Sequence, residues 1–220
     1  MKNILLFLIP VLITCSTGFA QDQDPKAKQI LDELSKITKS YKTITSEYVF
    51  TIFNKDKKQV EKQTGKVIVK GNKFKLEIPG NTIVSDGKKI WAHNKDANEV
   101  TIKNFDPNND DQLNPSKIFT MYESGFKYKY INDEKVNTAL CNVIALYPSV
   151  KPEKKKFHTV KLFVDKTKKQ VAKMVMLMKD GSSQSYEIKK FTPNTDIQDN
   201  IFVFDLKPFK ADQITDETDM

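Results

Sequence analysis

The chain has 220 residues, 36 basic side chains against 28 acidic ones, a formal net charge of +8 and 39% apolar content. Those values suit one domain with a sizeable core. Every basic residue is lysine, and of the two cysteines one lies in the N-terminal leader, which excludes an intramolecular disulfide once that leader is removed.

Residues Met1–Ala20 open with a charge at Lys2, continue through an apolar run from Ile4 to Ile13, and end in Gly18-Phe19-Ala20 before Gln21. This reads as a cleaved export signal, too short to span a bilayer. Lipidation at Cys15 is the rival reading, weakened because Thr14 is a poor residue before a lipidated cysteine. Cleavage removes one lysine and no acid, leaving 35 basic side chains against 28 acidic ones. Cys141, inside the apolar run Leu140–Leu146, is expected to be buried.

Asp24-Pro25 supplies an N-cap and an N1 proline, and Ala27, Ile30, Leu31, Leu34, Ile37 and Tyr41 follow at helical spacing. The result is an amphipathic helix whose apolar stripe covers a sheet. Strands are then expected at Ser46–Asn54, Gly65–Lys70, Lys73–Ile78, Thr82–Val84, Lys89–His93 and Glu99–Lys103. No helix-length pattern separates them, so the sheet is an antiparallel meander. After a polar loop at Phe105–Asn114, a short helix through Ile118, Phe119 and Tyr122 runs to Gly125. Phe126, Tyr128 and Tyr130 alternate with Lys127 and Lys129 in a further strand. Cys141–Tyr147, Thr159–Asp165, Gln170–Lys179, Ser183–Phe191 and Ile201–Leu206 complete the strands. Pro148–Lys156 is an exposed basic loop, and residues 210–220 form a polar tail expected to be loose.

About ten strands with one apolar face and only two helices leave apolar surface that must be covered. Closure of the sheet, a partner protein or a removable apolar ligand would each do so. Met174, Met176 and Met178 share one parity, and methionine adapts to partners of varied shape, although ordinary core filling accounts for them equally well.

No catalytic constellation is present. His93 and His158 lack a second metal-type ligand at motif spacing, and no serine sits in a Gly-x-Ser-x-Gly elbow. The run Asp106–Asp110 begins like a calcium loop, but Asp111 stands at the glycine position and Lys117 at the bidentate glutamate position. No glycine-rich loop precedes a helix, so nucleotide binding has no support, and with the histidine and calcium-loop patterns incomplete neither a cofactor nor a metal is expected. The lysines are scattered over many strands rather than gathered beside exposed aromatics, which argues against nucleic acid; solubility, an anionic membrane surface or an acidic partner suits them better.

The stretch Gly65–Asn94 carries a resemblance. A glycine-led strand, the basic bend Lys70-Gly71-Asn72, the alternating strand Lys73–Ile78 and then Val84-Ser85-Asp86-Gly87-Lys88 leading to Ile90-Trp91 resemble the LolA family of periplasmic lipoprotein carriers. The closing segment Phe191–Leu206 resembles the family's last strands. The resemblance implies a mainly β fold: a curved antiparallel sheet forming a partly open barrel, with a lid of a few helices over an apolar cavity. It implies a monomeric, non-enzymatic periplasmic carrier, spanning residues 21–209, that takes acylated lipoproteins from an inner-membrane lipoprotein-releasing ABC transporter to an outer-membrane acceptor. Parity and signature position together assign Phe74, Leu76, Ile78, Trp91, Phe126, Tyr128, Met174 and Met176 to the acyl-chain site, and Ile30, Leu34, Ile37, Phe119 and Tyr122 to the lid. The family holds its lid with an arginine near the first bend, which this chain lacks. Lys70 or Lys73 would substitute, or packing alone would hold the lid. A lipid- or lipoprotein-sensing domain of the same fold, or an outer-membrane-anchored acceptor lipidated at Cys15, are the alternatives.

Overall fold

Asp24 caps the first helix, as the Asp-Pro pair leads one to expect. Its carboxylate accepts hydrogen bonds from the N–H groups of Lys26 and Ala27, at 2.8 and 3.2 Å, and Pro25 begins helix α1, Pro25–Ser40. In this computed structural model residues 23–107, 115 and 121–219 are described. The leader with Cys15 and the position of Phe119 lie outside them. Of the expected short helix, Met121–Glu123 forms a 3-10 turn and Pro115 is buried.

Among the described residues eleven strands follow α1 as antiparallel neighbours: β1 Ile44–Phe53, β2 Gln59–Lys70, β3 Lys73–Ile78, β4 Asn81–Ser85, β5 Lys89–Asn94, β6 Glu99–Asn104, β7 Phe126–Val136, β8 Ala139–Pro148, β9 Phe157–Asp165, β10 Val171–Met178 and β11 Ser183–Pro193. A short β12, Ile214–Asp216, pairs in parallel with β6. The sheet order is β12-β6-β5-β4-β3-β2-β1-β11-β10-β9-β8-β7, so the sheet stays open with β12 and β7 as its edges. This is the mainly β, open, helix-lidded sheet that the resemblance implied.

Cross-strand partners share a face, so the register sorts every side chain. The face that α1 covers, here called inner, runs without a break from Phe126, Tyr128 and Tyr130 through Ile144, Leu162, Met174, Tyr186, Tyr48 and Val67 to Leu76 and Ile83. Two apolar clusters sit on it. Ala27, Leu31 and Leu34 of α1 pack with Tyr122, Ile144, Leu146, Val160, Leu162 and Met174. Ile44, Val67, Val69, Phe74, Leu76, Ile90 and Phe105 form the second cluster, joined by Tyr41, Tyr48 and Phe191. On the outer face Cys141 is fully buried with Val143 and Phe163, and desolvation pushes its thiol up to about 11.

Two expectations about the C-terminal segment are corrected. Ile201–Leu206 is not a strand: Asp199–Phe202 is a 3-10 turn, Phe202 is buried and Val203 is 69% exposed. Residues 210–219 are not a loose tail, because Ala211–Gln213 turns into β12. The physical reason is shared. The free edge of β6 is taken by β12, so the preceding segment crosses the outer face and spends its apolar side chains on packing rather than on a ladder.

Candidate functional site

Helix α1 lies over β7 to β10 and is fixed by polar contacts at both ends. At its start the Asp24 N–H donates to the Tyr128 carbonyl at 3.3 Å, the Tyr130 N–H donates to the Asp24 carboxylate at 3.0 Å, and Lys26 Nζ stands 3.4 Å from the centroid of the Tyr130 ring. Further along, Lys39 pairs with Glu123 at 2.7 Å, Ser35 donates to the same carboxylate, and Gln170 donates to the Tyr41 hydroxyl at 3.0 Å. Leu34 beneath these contacts is 1% exposed.

Between the two inner-face clusters, on β1 and β11, the surface is aromatic and half-buried rather than sealed. Phe50 and Tyr186 have centroids 4.8 Å apart, and Tyr48 and Tyr186 are 6.1 Å apart. Met176 lies one strand further on, paired with Gln184. At the same end of the strands Phe126 and Phe157 stack at 6.3 Å. The Tyr48 ring lies directly over Gly65, where a Cβ would meet its Cζ and Oη at 2.5 Å. The leading glycine of the signature strand therefore makes room for an aromatic ring on the inner face. Burial pushes the Tyr48 hydroxyl up to about 12. The Ser46 hydroxyl, fully buried on this face, has no hydrogen-bond partner among the described residues.

The predicted residues divide. Phe74, Leu76 and Ile78 belong to the second inner-face cluster, and Phe126, Tyr128, Met174 and Met176 to the first or its margin. Ile30, Leu34 and Tyr122 come together under α1, whereas Ile37 is half-buried outside both clusters. Trp91 is a correction. It pairs with Val84 and Ile102, the parity opposite to Phe74 and Leu76, and so stands on the outer face. The latch is the second correction. Lys70 and Lys73 also point outward, where both bind Asp199 at 2.7 and 2.6 Å, and Lys70 donates to the Ile197 carbonyl at 2.9 Å. These two cations hold the Asp199 carboxyl down at about 2. They fasten the C-terminal segment, not the lid. The same segment closes on His93, whose ring meets Phe204 and Phe209 edge-on at 6.0 and 4.9 Å.

Tyr48, Phe50, Phe157 and Tyr186 were missed from sequence. The β1 run Tyr48-Val49-Phe50-Thr51-Ile52-Phe53 is apolar on both parities, so alternation does not tell its faces apart. Among the described residues no cluster of histidine, cysteine or carboxylate could hold a metal ion, and no helix is long and apolar enough to cross a membrane.

Residues 39–205 match the family described as outer membrane lipoprotein carrier protein LolA. The chain belongs to the LolA family. The match takes in the signature strands, the inner-face aromatics and the first part of the outer-face segment. In fold, the LolA-type domain is similar to an uncharacterized conserved protein from Thermus thermophilus, with a TM-score of 0.57 and 14% identity over 87% of this chain and 99% of that one. It is also similar to LprF from Mycobacterium bovis, with a TM-score of 0.51 and 12% identity over 80% and 96% of the two chains. An uncharacterized protein of Methanocaldococcus jannaschii, MJ0687, is 29% identical over 137 residues, which is 61% of this chain but only 38% of that protein.

Proposed function

We propose that this LolA-type domain is a periplasmic carrier of lipoproteins, taking their acyl chains from the inner membrane and surrendering them at the outer membrane. The observation that carries this reading is the continuous apolar inner face, sealed at two clusters but only half-buried across Tyr48, Phe50, Met176 and Tyr186. The aromatic rings there present broad apolar area and the flexible thioether of Met176 adapts to what lies on it, which suits acyl chains of differing length. Each buried CH₂ contributes about 0.8 kcal/mol, so burying several of them gives useful affinity while release to a better acceptor stays feasible. No bond is made or broken. The donor is an inner-membrane lipoprotein-releasing ABC transporter and the recipient an outer-membrane acceptor.

The test is lipoprotein release. Purified protein added to spheroplasts of its source should bring lipoproteins into the supernatant as one-to-one complexes, and native protein should co-purify with acylated polypeptide identified by mass spectrometry. Supernatants free of lipoprotein, together with native protein free of acyl-bearing ligand, would overturn the proposal.

A further inference from the structure

The loops at one end of the strands gather positive charge. The β1–β2 turn carries Lys55, Lys57 and Lys58 against Asp56, and the β8–β9 loop carries Lys151, Lys154, Lys155 and Lys156 against Glu153. The β10–β11 turn joins them: a Cβ on Gly181 would lie 3.3 Å from Lys55 Cβ. From that turn Lys179 Nζ donates to the Pro152 and Glu153 carbonyls at 2.7 and 3.2 Å, and its N–H donates to the Lys156 carbonyl at 3.0 Å. The basic loop is thus pinned to the sheet rather than hanging from it. Among the described residues none of those seven loop lysines forms an ion pair, whereas at the opposite end Lys70 and Lys73 are occupied by Asp199, Lys166 by Asp133 and Lys169 by Glu33.

Apolar side chains stand among these charges. Val150, at the start of the β8–β9 loop, is 58% exposed, Val60 beside the β1–β2 turn is 60% exposed, and Tyr147 is also exposed. The half-buried Phe126, Phe157 and Met176 of the inner face reach the same end. We infer that this end of the sheet docks on an anionic lipid bilayer, with the lysines over the headgroups and Val150 at the interface. Lysine is a mobile point charge without the bidentate geometry of arginine, so an arginine-free patch suits a diffuse anionic surface better than a fixed pattern of carboxylates on a protein. Docking this way would set the open end of the inner face against the membrane. That orientation rests on the carrier reading above, but the docking itself does not.

The experiment uses the full mature chain and vesicles, with no lipoprotein, so its outcome is separate from that of the release assay. Binding to phosphatidylglycerol-containing vesicles should exceed binding to phosphatidylcholine vesicles by at least about tenfold at low ionic strength and fade as salt screens the charges. The triple variant Lys151→Glu, Lys154→Glu, Lys155→Glu should lose at least about tenfold of that binding. Lys42→Glu, Lys88→Glu, Lys168→Glu changes the net charge equally at exposed sites on the opposite end and should retain most of it. Val150→Ser should leave the low-salt binding in place and reduce the fraction that survives high salt. Circular dichroism establishes that each variant is folded. Equal loss in both triple variants would show that net charge alone attracts the protein and would overturn the inference. So would binding to polyglutamate without binding to vesicles, which would assign the patch to an acidic protein.

Discussion

Gly65→Ala adds one methyl group directly beneath the Tyr48 ring on the inner face. Its Cβ would sit 2.5 Å from Tyr48 Cζ and Oη and 2.9 Å from Cε2. Carbon atoms in ordinary contact stand about 3.5–4.0 Å apart, so the ring must move by about 1 Å or more. Tyr186 at 6.1 Å on the neighbouring strand and the surrounding second cluster limit where it can go. Overpacking of this kind costs about 1–3 kcal/mol. For a chain of this size that corresponds to a fall in Tm of about 2–4 °C per kcal/mol. Thermal and urea unfolding of wild type, Gly65→Ala, Tyr48→Ala and the double variant form a cycle. The alanine at 65 should destabilise the wild type by at least about 1 kcal/mol and do little in the Tyr48→Ala background, the coupling expected of two groups in contact. An equal penalty in both backgrounds would show that the cost arises from the strand itself and would refute the assignment of Gly65 as the seat of the Tyr48 ring.

Leu34→Ala, at a side chain 1% exposed under α1, should cost about 2–5 kcal/mol of stability in urea unfolding, the range for truncating a buried leucine. Leu34→Asp should impair retention of lipoprotein in the release assay far more than Lys70→Ala, because Lys70 touches the outer-face segment and not the lid; the reverse order would restore a lysine latch. Asp199 has a carboxyl lowered to about 2 by Lys70 and Lys73, so its contribution is present above the unfolded-state value near 4 and is lost as pH falls through about 2. Asp199→Asn should therefore flatten the stability profile over that window, seen as protection of the 197–204 amides in hydrogen exchange, and an unchanged profile would count against the pairing. Trp91 lies on the outer face, so a brominated acyl chain bound to the protein should leave its fluorescence largely unquenched.

Helix α1 and strand β3 were legible because one face of each is apolar and the other polar. Asp24-Pro25 marked the helix start, and Phe74, Leu76 and Ile78 share a parity against Lys73, Lys75 and Glu77. The same rule placed Trp91 wrongly for a physical reason. In β5 both Ile90 and Trp91 are apolar because both faces are covered there, the inner by the second cluster and the outer by the C-terminal segment. In β6 the apolar parity, Val100 and Ile102, turns outward altogether. The outer-face segment was not legible as such. Ile201, Phe202 and Phe204 spell a strand, and only the occupied edge of β6 diverts them across the sheet. Tyr48, Phe50 and Tyr186 came together only through the pairing of β1 with β11, strands separated by most of the chain. The resemblance offered Lys70 or Lys73 as a lid latch, with packing alone as the alternative; that both bind Asp199 instead could not be read from the bend, because Asp199 is more than 120 residues away in sequence.

The central claim is that acyl chains lie on the inner face. The most direct measurement is a diacylated lipopeptide bearing a photoreactive group near an acyl terminus, cross-linked to the protein and mapped by mass spectrometry. The account predicts adducts on Tyr48, Phe50, Met176 and Tyr186, competed away by unlabelled lipoprotein. Adducts concentrated on Trp91, Phe204 and Phe209 would place the cargo on the outer face and contradict it.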